Sequence, residues 1–542
     1  MRPEMLGATQ MVEHLALIEE DDKKGSNSSE NVARLEEIRT TPLFTSNVKL
    51  ALQLRHPSII PQYALLGVRK ETYGSPGCSN GNSGFENSAF GNTGNGLAIE
   101  RHSIGLENLV YANINAPSST FICGSQGSGK SHTLSCMLEN GLVHPSVTGA
   151  ISSPLTGLVL HYDKFTGVNT GQLCEAAYLS SKIPVRVLVS PSNFAHMEKL
   201  YANLPGLPKG TRKPKVHKMY FREDQLTIGM MKDLMAVSAE GTTPLYMEVV
   251  TKVLRDMAEE SQGRRGINFE AFKLRLREEG FDKGQTGPLN MRLQLLESFL
   301  GKSSKKAQGT SARNGINKNN DNIWEFPKGS LTIVDLSCPF VDENDACSLF
   351  NICMSIFMER RNEGGRIVAL DEAHKFLTTN TREAINLTDT LLSLIRQQRH
   401  LATRVIIATQ EPTLSPNLLD LCNVAIVHRF SSPAWFKTLR NHLAAAAFDD
   451  TSQQKFGSTD NLFSRIVTLK TGEALVFCPS AMLDLVAAGI LEGTRSLSDG
   501  LKPNGVSMFK ESKIRELGPR YMRVRIRKRI TTDGGRSILA EE

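Results

Sequence analysis

Short apolar runs recur along the chain from about residue 113, and each is followed by a polar turn or by a helical pattern. The first run is Thr120–Cys123. The later runs are Gly157–Asp163, Val185–Pro191, Leu331–Asp335, Arg366–Asp371, Arg404–Gln410, Val424–His428 and Glu473–Phe477. Because these runs are continuous rather than alternating, they predict strands buried on both faces of a largely parallel sheet. Strands that alternate with helices in this way are typical of an α/β fold.

Two parts of the chain have helical rather than strand periodicity. One helix face contains Leu349, Ile352, Cys353, Ile356 and Phe357. Between 201 and 325 the strand rhythm stops, and two apolar stripes have helical spacing, namely Val250, Leu254 and Met257, then Leu289, Leu293, Leu296 and Leu300. We therefore predict a helical insertion at 201–325, closed by a flexible basic link at 302–322, that divides a sheet domain into 113–200 and 326–500.

The two ends of the chain have their own patterns. Residues 1–45 are polar and predict an N-terminal arm, and residues 46–112 predict a small region with a strand or two. Within that region, 74–96 is rich in Gly, Ser and Asn, which is typical of a flexible loop. In the tail, 501–542, apolar residues alternate with arginines: Met522, Val524 and Ile526 with Arg523, Arg525 and Arg527. This period of two predicts a strand with one basic face.

The first apolar run leads into a glycine-rich segment. Thr120–Cys123 precedes Gly124–Ser131, which fits the phosphate-binding pattern G-x-x-x-x-G-K-[ST], and a helical pattern follows. Glycines let backbone N–H groups turn toward a phosphate chain, and the positive end of the following helix helps to hold it. We therefore predict a P-loop in which the nucleotide is bound by Gly124, Ser125, Gln126, Gly127, Ser128, Gly129, Lys130, Ser131 and His132.

Two residues at the end of this segment have specific expected roles. Lys130 would reach the β- and γ-phosphates, and the Ser131 hydroxyl would ligate Mg²⁺. The alternative is a glycine-rich turn that matches the pattern by accident, and the order strand, loop and helix argues against it. ATP and Mg²⁺ are therefore the expected cofactors.

A second motif, at Arg366–His374, is an apolar strand that ends in two acids. Asp371 at its tip would hold Mg²⁺ through water, because Mg²⁺ keeps several of its waters. Glu372 would activate or orient the attacking water. The alternative is a strand end with two solvated acids, which the P-loop upstream makes less favourable.

Two further polar residues are candidates for catalysis. Gln410 ends an apolar strand, and if that strand lies between the P-loop strand and the strand of Asp371, its amide points at the γ-phosphate. Arg399 lies near the end of the preceding helix and would stabilise the γ-phosphate in the same subunit or across an interface. The alternatives are an ordinary strand-to-turn glutamine and a solvated cation at a helix C-terminus.

Composition narrows the class of protein. The 542 residues can bury a large core in more than one domain, and 40% hydrophobic with 22% charged residues is ordinary for a soluble protein. With no apolar run approaching about 18 residues and no signal-peptide pattern, we expect no membrane partner and an intracellular protein, in cytoplasm or nucleus.

The nine cysteines never have C-x-x-C spacing, so we expect buried thiols and neither a disulfide framework nor a zinc site. The net charge of +7 permits a polyanionic partner without requiring one.

Together these motifs resemble the HerA/FtsK superfamily of ring-forming, nucleic-acid-pumping ATPases. The resemblance covers about 121–479 without the insertion. It is carried by Gly124–Ser131, Asp371–His374, Ala408–Pro412, Arg399 at the family's spacing before Gln410, and the strands at Leu331–Ser337, Asn423–Ser431 and Gly472–Phe477.

The resemblance implies a RecA/ASCE-type P-loop NTPase that hydrolyses ATP with Mg²⁺. Catalysis would use Lys130, Glu372, Gln410 and Arg399, and the metal would lie at Ser131 and Asp371. It also implies a homo-oligomeric ring, of which a hexamer is one form, and a nucleic acid bound without sequence preference. Basic elements would then contact phosphates, namely Arg212, Arg264–Arg265 and Arg523–Arg529. For each, the alternative is a solvated face or, for the tail, a localisation signal.

The chain departs from this family in three ways. No small N-terminal β-barrel is recognisable before Asn113. The turn at Asp163–Gly167 lacks the glutamate of the family's Asp-Pro-x-Gly-Glu, and Glu411 stands where the family usually has arginine. These departures weaken the case for DNA pumping more than the case for ATP binding.

Other functions remain open on the sequence. An ATP-regulated scaffold or switch acting on proteins is favoured by the departures, although the intact Lys130, Asp371 and Glu372 argue against an inactive site. A DEAH-type helicase would explain Asp-Glu-Ala-His, but Lys130 and Asp371 are about 240 residues apart, much more than in such helicases. That alternative also needs a second RecA-like lobe after Gln410, and none is visible. A small-molecule kinase would need an acceptor site, which is not visible either.

Overall fold

The structure is a computed structural model. It describes residues 29–56, 58–75, 98–102, 105–164, 172–235, 246–260, 266–300, 322–359, 364–412, 414–443, 461–486 and 513–534.

The strands in these ranges are β1 (Leu43–Thr45), β2 (Tyr63–Ser75), β3 (Ala98–Arg101), β4 (Leu109–Asn113), β5 (Ser119–Cys123), β6 (Gly149–Ala150), β7 (Thr156–His161), β8 (Val185–Val189), β9 (Lys215–Lys218), β10 (Leu331–Asp335), β11 (Arg366–Asp371), β12 (Thr403–Thr409), β13 (Val424–Val427), β14 (Glu473–Phe477), β15 (Met482–Val486), β16 (Lys513–Glu516) and β17 (Tyr521–Ile526).

The α-helices are α1 (Ser29–Thr40), α2 (Ser46–Arg55), α3 (Lys130–Leu142), α4 (Phe194–Ala202), α5 (Ile228–Met235), α6 (Tyr246–Glu260), α7 (Phe269–Glu278), α8 (Lys283–Phe299), α9 (Glu343–Glu359), α10 (Arg382–Gln397), α11 (Pro416–Leu421), α12 (Pro433–His442) and α13 (Leu462–Val467). No helix in the described part of the chain is both long enough and apolar enough to span a lipid bilayer.

The parallel part of the sheet has the strand order β9-β8-β10-β7-β11-β12-β5-β13, and each neighbouring pair runs parallel. The strands β5, β7, β10, β11 and β12 are buried at every position, as their uninterrupted apolar runs predict. The predicted α/β fold with a mostly parallel sheet is confirmed.

Helices cover both faces of this parallel sheet. Because successive side chains of a strand point to opposite faces, each strand contributes to two cores. Phe121 and Leu370 belong to a core that they share with helices α5 to α10. Ile122 and Ala369, their immediate neighbours in sequence, belong to a core shared with α3. The sheet is therefore the middle layer of three.

The segment between α4 and β10 is largely helical and packs on the first of these cores. Val250 and Leu254 of α6 and Leu289 and Leu296 of α8 are buried, in agreement with the helical stripes in the sequence. One short strand, β9, precedes the helices and extends the sheet by pairing with β8. Of the expected basic link, only residue 322 lies within the described residues.

Strands from both ends of the chain extend the sheet in mainly antiparallel fashion. The order continues from β13 through β14, β17, β2, β4 and β1, and then β15 and β16. The expected arm, small N-terminal region and tail therefore meet in one sheet, and residues 43–45 of the arm form β1. Apart from Gly74 and Ser75, which end β2, the expected flexible loop at 74–96 lies outside the described residues.

The arginines of the C-terminal segment are mostly held inside the protein. Arg523 pairs with Glu71 and Glu473, Arg527 pairs with Glu139, and the side chain of Arg529 is 1% exposed. The alternation along β17 is as predicted, but the pairing of these three arginines with carboxylates argues against the expectation that they contact nucleic-acid phosphates. Their charges are neutralised by internal carboxylates, a pairing that no local pattern indicates. Of the four arginines in the segment 523–529, only Arg525 is exposed.

Candidate nucleotide-binding site

The glycine-rich segment after β5 forms a loop that leads directly into α3. Gly124, Gly127 and Gly129 have positive φ values of 150°, 71° and 112°. At Gly124 a Cβ atom would also lie 2.7 Å from the Cβ of His428. Glycine is therefore required here both for backbone conformation and for space. Helix α3 begins at Lys130, so its N-terminus faces the loop.

The loop is fixed by hydrogen bonds that centre on Ser125. Its backbone N–H and its hydroxyl both donate to the carbonyl of Arg429, at 2.9 and 2.8 Å. Its own carbonyl accepts from the Ser128 hydroxyl at 2.7 Å and from Nζ of Lys130 at 3.1 Å. Burial lowers the pKa of Lys130, against the opposing effect of the carboxylates of Glu372 and Asp371. The ammonium group thus lies over the loop, where it donates to a backbone carbonyl and is influenced by the charges of two acids.

Asp371 and Glu372 lie at the carboxyl end of β11, each 4% exposed. Glu372 adopts a left-handed backbone conformation with φ of 51°, which is uncommon for a residue other than glycine. Its Oε2 accepts a hydrogen bond from Nε2 of Gln410 at 3.1 Å, and Nδ1 of His374 lies 3.4 Å from the same oxygen. The Glu372 carboxylate is therefore held in one orientation despite a strained backbone.

Strand β12 lies between the P-loop strand β5 and the strand β11. This is the condition under which Gln410, directly after β12, was expected to face the phosphates. The structure brings Lys130, Asp371, Glu372 and Gln410 to the same edge of the sheet, because the carboxyl ends of parallel neighbours coincide.

Arg399 is not brought to this edge. It is exposed and follows the end of α10, close to where β12 begins. Strand β12 then runs about 20 Å, at about 3.3 Å per residue, before it reaches Gln410. The structure therefore separates Arg399 from the P-loop of its own chain.

The side chain of His132 also faces away from the loop. Its Nε2 lies 2.8 Å from the carbonyl of Arg527 and its Nδ1 3.3 Å from Asp533. A contact of His132 with phosphate would therefore come from its backbone N–H. The neighbouring Ser131 is partly exposed in the first turn of α3.

His428 supports the loop and was not identified from the sequence. Its Nδ1 lies 3.0 Å from the carbonyl of Glu473, and its Nε2 lies 2.9 Å from the hydroxyl of Thr133. Because a carbonyl only accepts, Nδ1 carries the proton and Nε2 accepts from Thr133. Burial lowers the pKa of His428 to about 4. The sequence signal was only a polar residue at the end of an apolar strand.

A buried histidine, His161, was also missed. It ends β7 and lies in register with Asp371 on one side and Asp335 on the other. Burial lowers the pKa of His161, but the carboxylates of Asp335 and Asp371 outweigh this effect and raise it to about 9. Asp371 thus has a fully buried polar neighbour on the side away from the loop.

The environment of His428 predicts a pH-dependent stability. Its pKa is about 6.5 in the unfolded chain and about 4 in the folded one, so the unfolded state binds the proton more tightly. The contribution of neutral His428 to stability is therefore fully present above pH 6.5. As the pH drops toward 4, the free energy of unfolding falls by up to about 3 kcal/mol. In urea unfolding at pH 7.5 and 4.5, His428→Gln should lose this part of the dependence, and the exposed His400→Gln should keep it. Equal dependence in both variants would contradict the assignment.

No protein-family model matches the sequence, and no curated protein matches it. Among solved structures, the chain is similar to VirB4 of Thermoanaerobacter pseudethanolicus, with 13% identity, a TM-score of 0.41, and coverage of 69% of this chain and 91% of that one. The plasmid coupling protein TrwB, solved with a non-hydrolysable ATP analogue, is 12% identical over 66% of this chain and 81% of its own, with a TM-score of 0.34.

The genome-packaging NTPase B204 from Sulfolobus turreted icosahedral virus 2, solved with ATP-gammaS, is 17% identical over 28% of this chain and 61% of its own, with a TM-score of 0.20. These similarities are low in identity and in TM-score. The function is therefore inferred from the residues of the site.

Proposed function

We propose that this protein is a Mg²⁺-dependent ATPase of the HerA/FtsK type that acts as an oligomeric motor on nucleic acid. The observation that carries the ATPase assignment is the Glu372 carboxylate, held by Gln410 at the edge where the P-loop and Lys130 also lie. A buried acid next to a phosphate-binding loop is what in-line attack of water on a γ-phosphate requires.

The donor set at this edge fits Mg²⁺. The Ser131 hydroxyl and the Asp371 carboxylate are hard oxygen donors, which Mg²⁺ prefers. When bound, the ion would neutralise charge on the β- and γ-phosphate oxygens.

The remaining steps follow from the positions of the side chains. The N–H groups of the loop and the N-terminus of α3 would hold the phosphates. Lys130 would transfer its hydrogen bond from the Ser125 carbonyl to a phosphate oxygen. Glu372 would accept the proton of the attacking water, and Gln410 would keep that carboxylate oriented and change partner when the γ-phosphate leaves. Gln410 is thereby the residue through which the rest of the chain would sense hydrolysis.

The proposal of an oligomer is supported by the position of Arg399. An exposed arginine about 20 Å from its own P-loop, judged by the length of β12, is available to the γ-phosphate of a neighbouring subunit. The remaining candidates for phosphate contacts are exposed cations, namely Arg212 and Lys213 near β9 and Arg525 and Lys528 in the C-terminal segment. Arg264–Arg265 lie outside the described residues.

The internal pairing of Arg523, Arg527 and Arg529 favours one alternative. With fewer exposed cations than the sequence indicated, an ATP-regulated scaffold or switch acting on protein partners is the second candidate function.

The decisive experiment measures ATP hydrolysis by the purified protein alone and with duplex DNA, single-stranded DNA or RNA at two salt concentrations. Stimulation by one polymer that fades with salt is expected of a nucleic-acid motor, because phosphate contacts are salt-dependent. Lys130-dependent hydrolysis that no polymer changes would contradict the motor and favour the protein-directed switch. Absence of any Lys130-dependent hydrolysis would contradict the enzyme assignment itself.

Lys130→Ala is the background variant for that experiment, and its own effect is predictable. Hydrogen bonds to charged groups contribute about 1.5–3 kcal/mol. Loss of the ammonium group should therefore weaken ATP binding about 10- to 100-fold, as measured by calorimetry or nucleotide fluorescence. The exposed Lys182→Ala is the matched control and should bind as wild type does. Unchanged affinity in Lys130→Ala would contradict the P-loop assignment.

A further inference from the structure

We propose that His161, Cys174 and Asp371 form a second metal site, one that takes Zn²⁺, and that Zn²⁺ bound there inhibits ATP hydrolysis. The inhibitory effect rests on the proposed function, whereas the metal site itself does not. Among the described residues, this is the group of His, Cys, Asp and Glu side chains close enough together to share a metal ion.

The three potential ligand atoms already have nearly the spacing that zinc needs. Nδ1 of His161 lies 3.4 Å and Sγ of Cys174 lies 3.9 Å from the same Oδ2 of Asp371, and all three atoms lie within 4.8 Å of one another. Ligand atoms bound tetrahedrally to Zn²⁺ at about 2.0–2.3 Å are about 3.3–3.6 Å apart. A small rotation of the Cys174 side chain would complete the geometry, with water as the fourth ligand.

The hydrogen bonding of His161 points independently to a ligand. Its Nε2 lies 3.0 Å from the carbonyl of Gln172, so this nitrogen donates. Its Nδ1 is buried, faces Asp371 and Cys174, and makes no hydrogen bond of good geometry to any group in the described part of the chain. Metal-ligating histidines usually donate their other N–H to a carbonyl or carboxylate, which fixes the ring orientation. A bound metal ion would replace the proton that Nδ1 holds toward Asp371 in the metal-free protein.

Cys174 is held in position by a supporting layer of its own. Its backbone N–H donates to Oη of Tyr201 at 3.3 Å, and Tyr201 donates to Asp335 at 2.5 Å. The thiol is buried and lies in the segment just before a 3₁₀ turn at Glu175–Ser181. The backbone of Cys174 is therefore held by a contact other than the one that its sulfur makes to Asp371.

The donor set selects the metal. A thiolate, an imidazole and a carboxylate suit Zn²⁺, whereas Mg²⁺ prefers oxygen ligands alone. Coordination removes the proton of the Cys174 thiol, and the dication then balances the buried charge of Asp371. No sequence pattern indicates this site, because its ligands come from three segments far apart in the chain.

Zn²⁺ in this site would compete directly with the proposed catalytic state. Asp371 is the carboxylate expected to hold Mg²⁺ near the nucleotide, and a bound Zn²⁺ would occupy it from the opposite side. ATP hydrolysis should then fall as Zn²⁺ rises even when Mg²⁺ is in excess.

The first test reads metal binding without nucleotide. Metal-stripped protein is titrated with Co²⁺, and the thiolate-to-cobalt charge-transfer band is followed together with the visible bands of four-coordinate cobalt. We expect both in the wild type, displaced by Zn²⁺. They should be absent in Cys174→Ser and retained in Cys353→Ser, a matched change at a buried thiol outside the site. A wild type without a thiolate band would overturn the proposal.

The second test titrates Zn²⁺ into the Mg²⁺-ATP hydrolysis assay. The rate of Cys174→Ser with Zn²⁺ is compared with its own rate without Zn²⁺, because the Cys174 side chain contacts Asp371. This variant should need at least about 10-fold more Zn²⁺ for half-inhibition, because even an outer-shell change typically weakens metal affinity by that factor. Equal inhibition of wild type and Cys174→Ser would mean that Zn²⁺ acts at the Mg²⁺ position, and the inhibitory site would be rejected. A protein without ATPase activity would still give the cobalt result, so the two proposals can fail separately.

Discussion

Glu372→Gln should lower the rate of ATP turnover about 10²- to 10⁴-fold while leaving ATP binding intact, because proton transfer by a positioned base contributes a factor of that size. The substitution removes the basic oxygen but keeps the size of the side chain. The Gln410 amide 3.1 Å away can still pair with the remaining carbonyl oxygen, so the loop should keep its shape.

The experiment needs two readouts and one control variant. Single-turnover hydrolysis reports the chemical step, and equilibrium binding of ATP reports the loop. Glu411→Gln changes an exposed carboxylate just after β12, the neighbouring strand, and should leave turnover within about two-fold of wild type, as surface changes usually do. Turnover by Glu372→Gln at the wild-type rate would refute its catalytic role, and lost ATP binding would show a structural role instead.

Arg527→Met should destabilise the fold by about 3–5 kcal/mol, the usual cost of leaving one partner of a buried ion pair alone. Its guanidinium donates to Glu139 at 2.8 Å, to Asn140 at 2.9 Å and to the carbonyls of Leu65 and Cys136 at 2.9 and 3.0 Å. Glu139 is fully buried in α3, and the change would remove its nearest cation, leaving Arg529 at 3.8 Å and the donors of Ile530 and Thr531.

The matched control is Arg525→Met, at an exposed arginine of β17 two residues before Arg527, which should change stability by no more than about 0.5 kcal/mol. In urea unfolding, Arg527→Met should lower the midpoint without changing the slope. Because Glu139 and Asn140 belong to the helix that begins at Lys130, ATP affinity should fall together with stability. Equal midpoints for the two variants would mean that the internal pairing contributes nothing.

The sequence alone indicated the role of Glu372, but it did not indicate the buried environment of Arg527. Glu372 directly follows Asp371 at the end of an apolar strand. The features that identify it as a catalytic candidate are therefore close together in the sequence. Arg527 directly follows β17, whose alternation is equally clear, but the sequence pattern does not distinguish an arginine that faces solvent from one that is buried. The exposed Arg525 and the buried Arg527 have the same period and opposite environments.

The sequence by itself determined the parallel strands, the helical stripes at 250–257 and 289–300, the P-loop and the acidic strand end. Each depends on periodicity or spacing within a few residues, where backbone geometry dictates which side chains share a face. Only the tertiary structure decided that β17 lies between β2 and β14, and that Arg399 is remote from its own P-loop. Only the tertiary structure, too, brings His161, Cys174 and Asp371 together. Those contacts join segments far apart in the chain, and their energy comes from burial and charge pairing that no local pattern encodes.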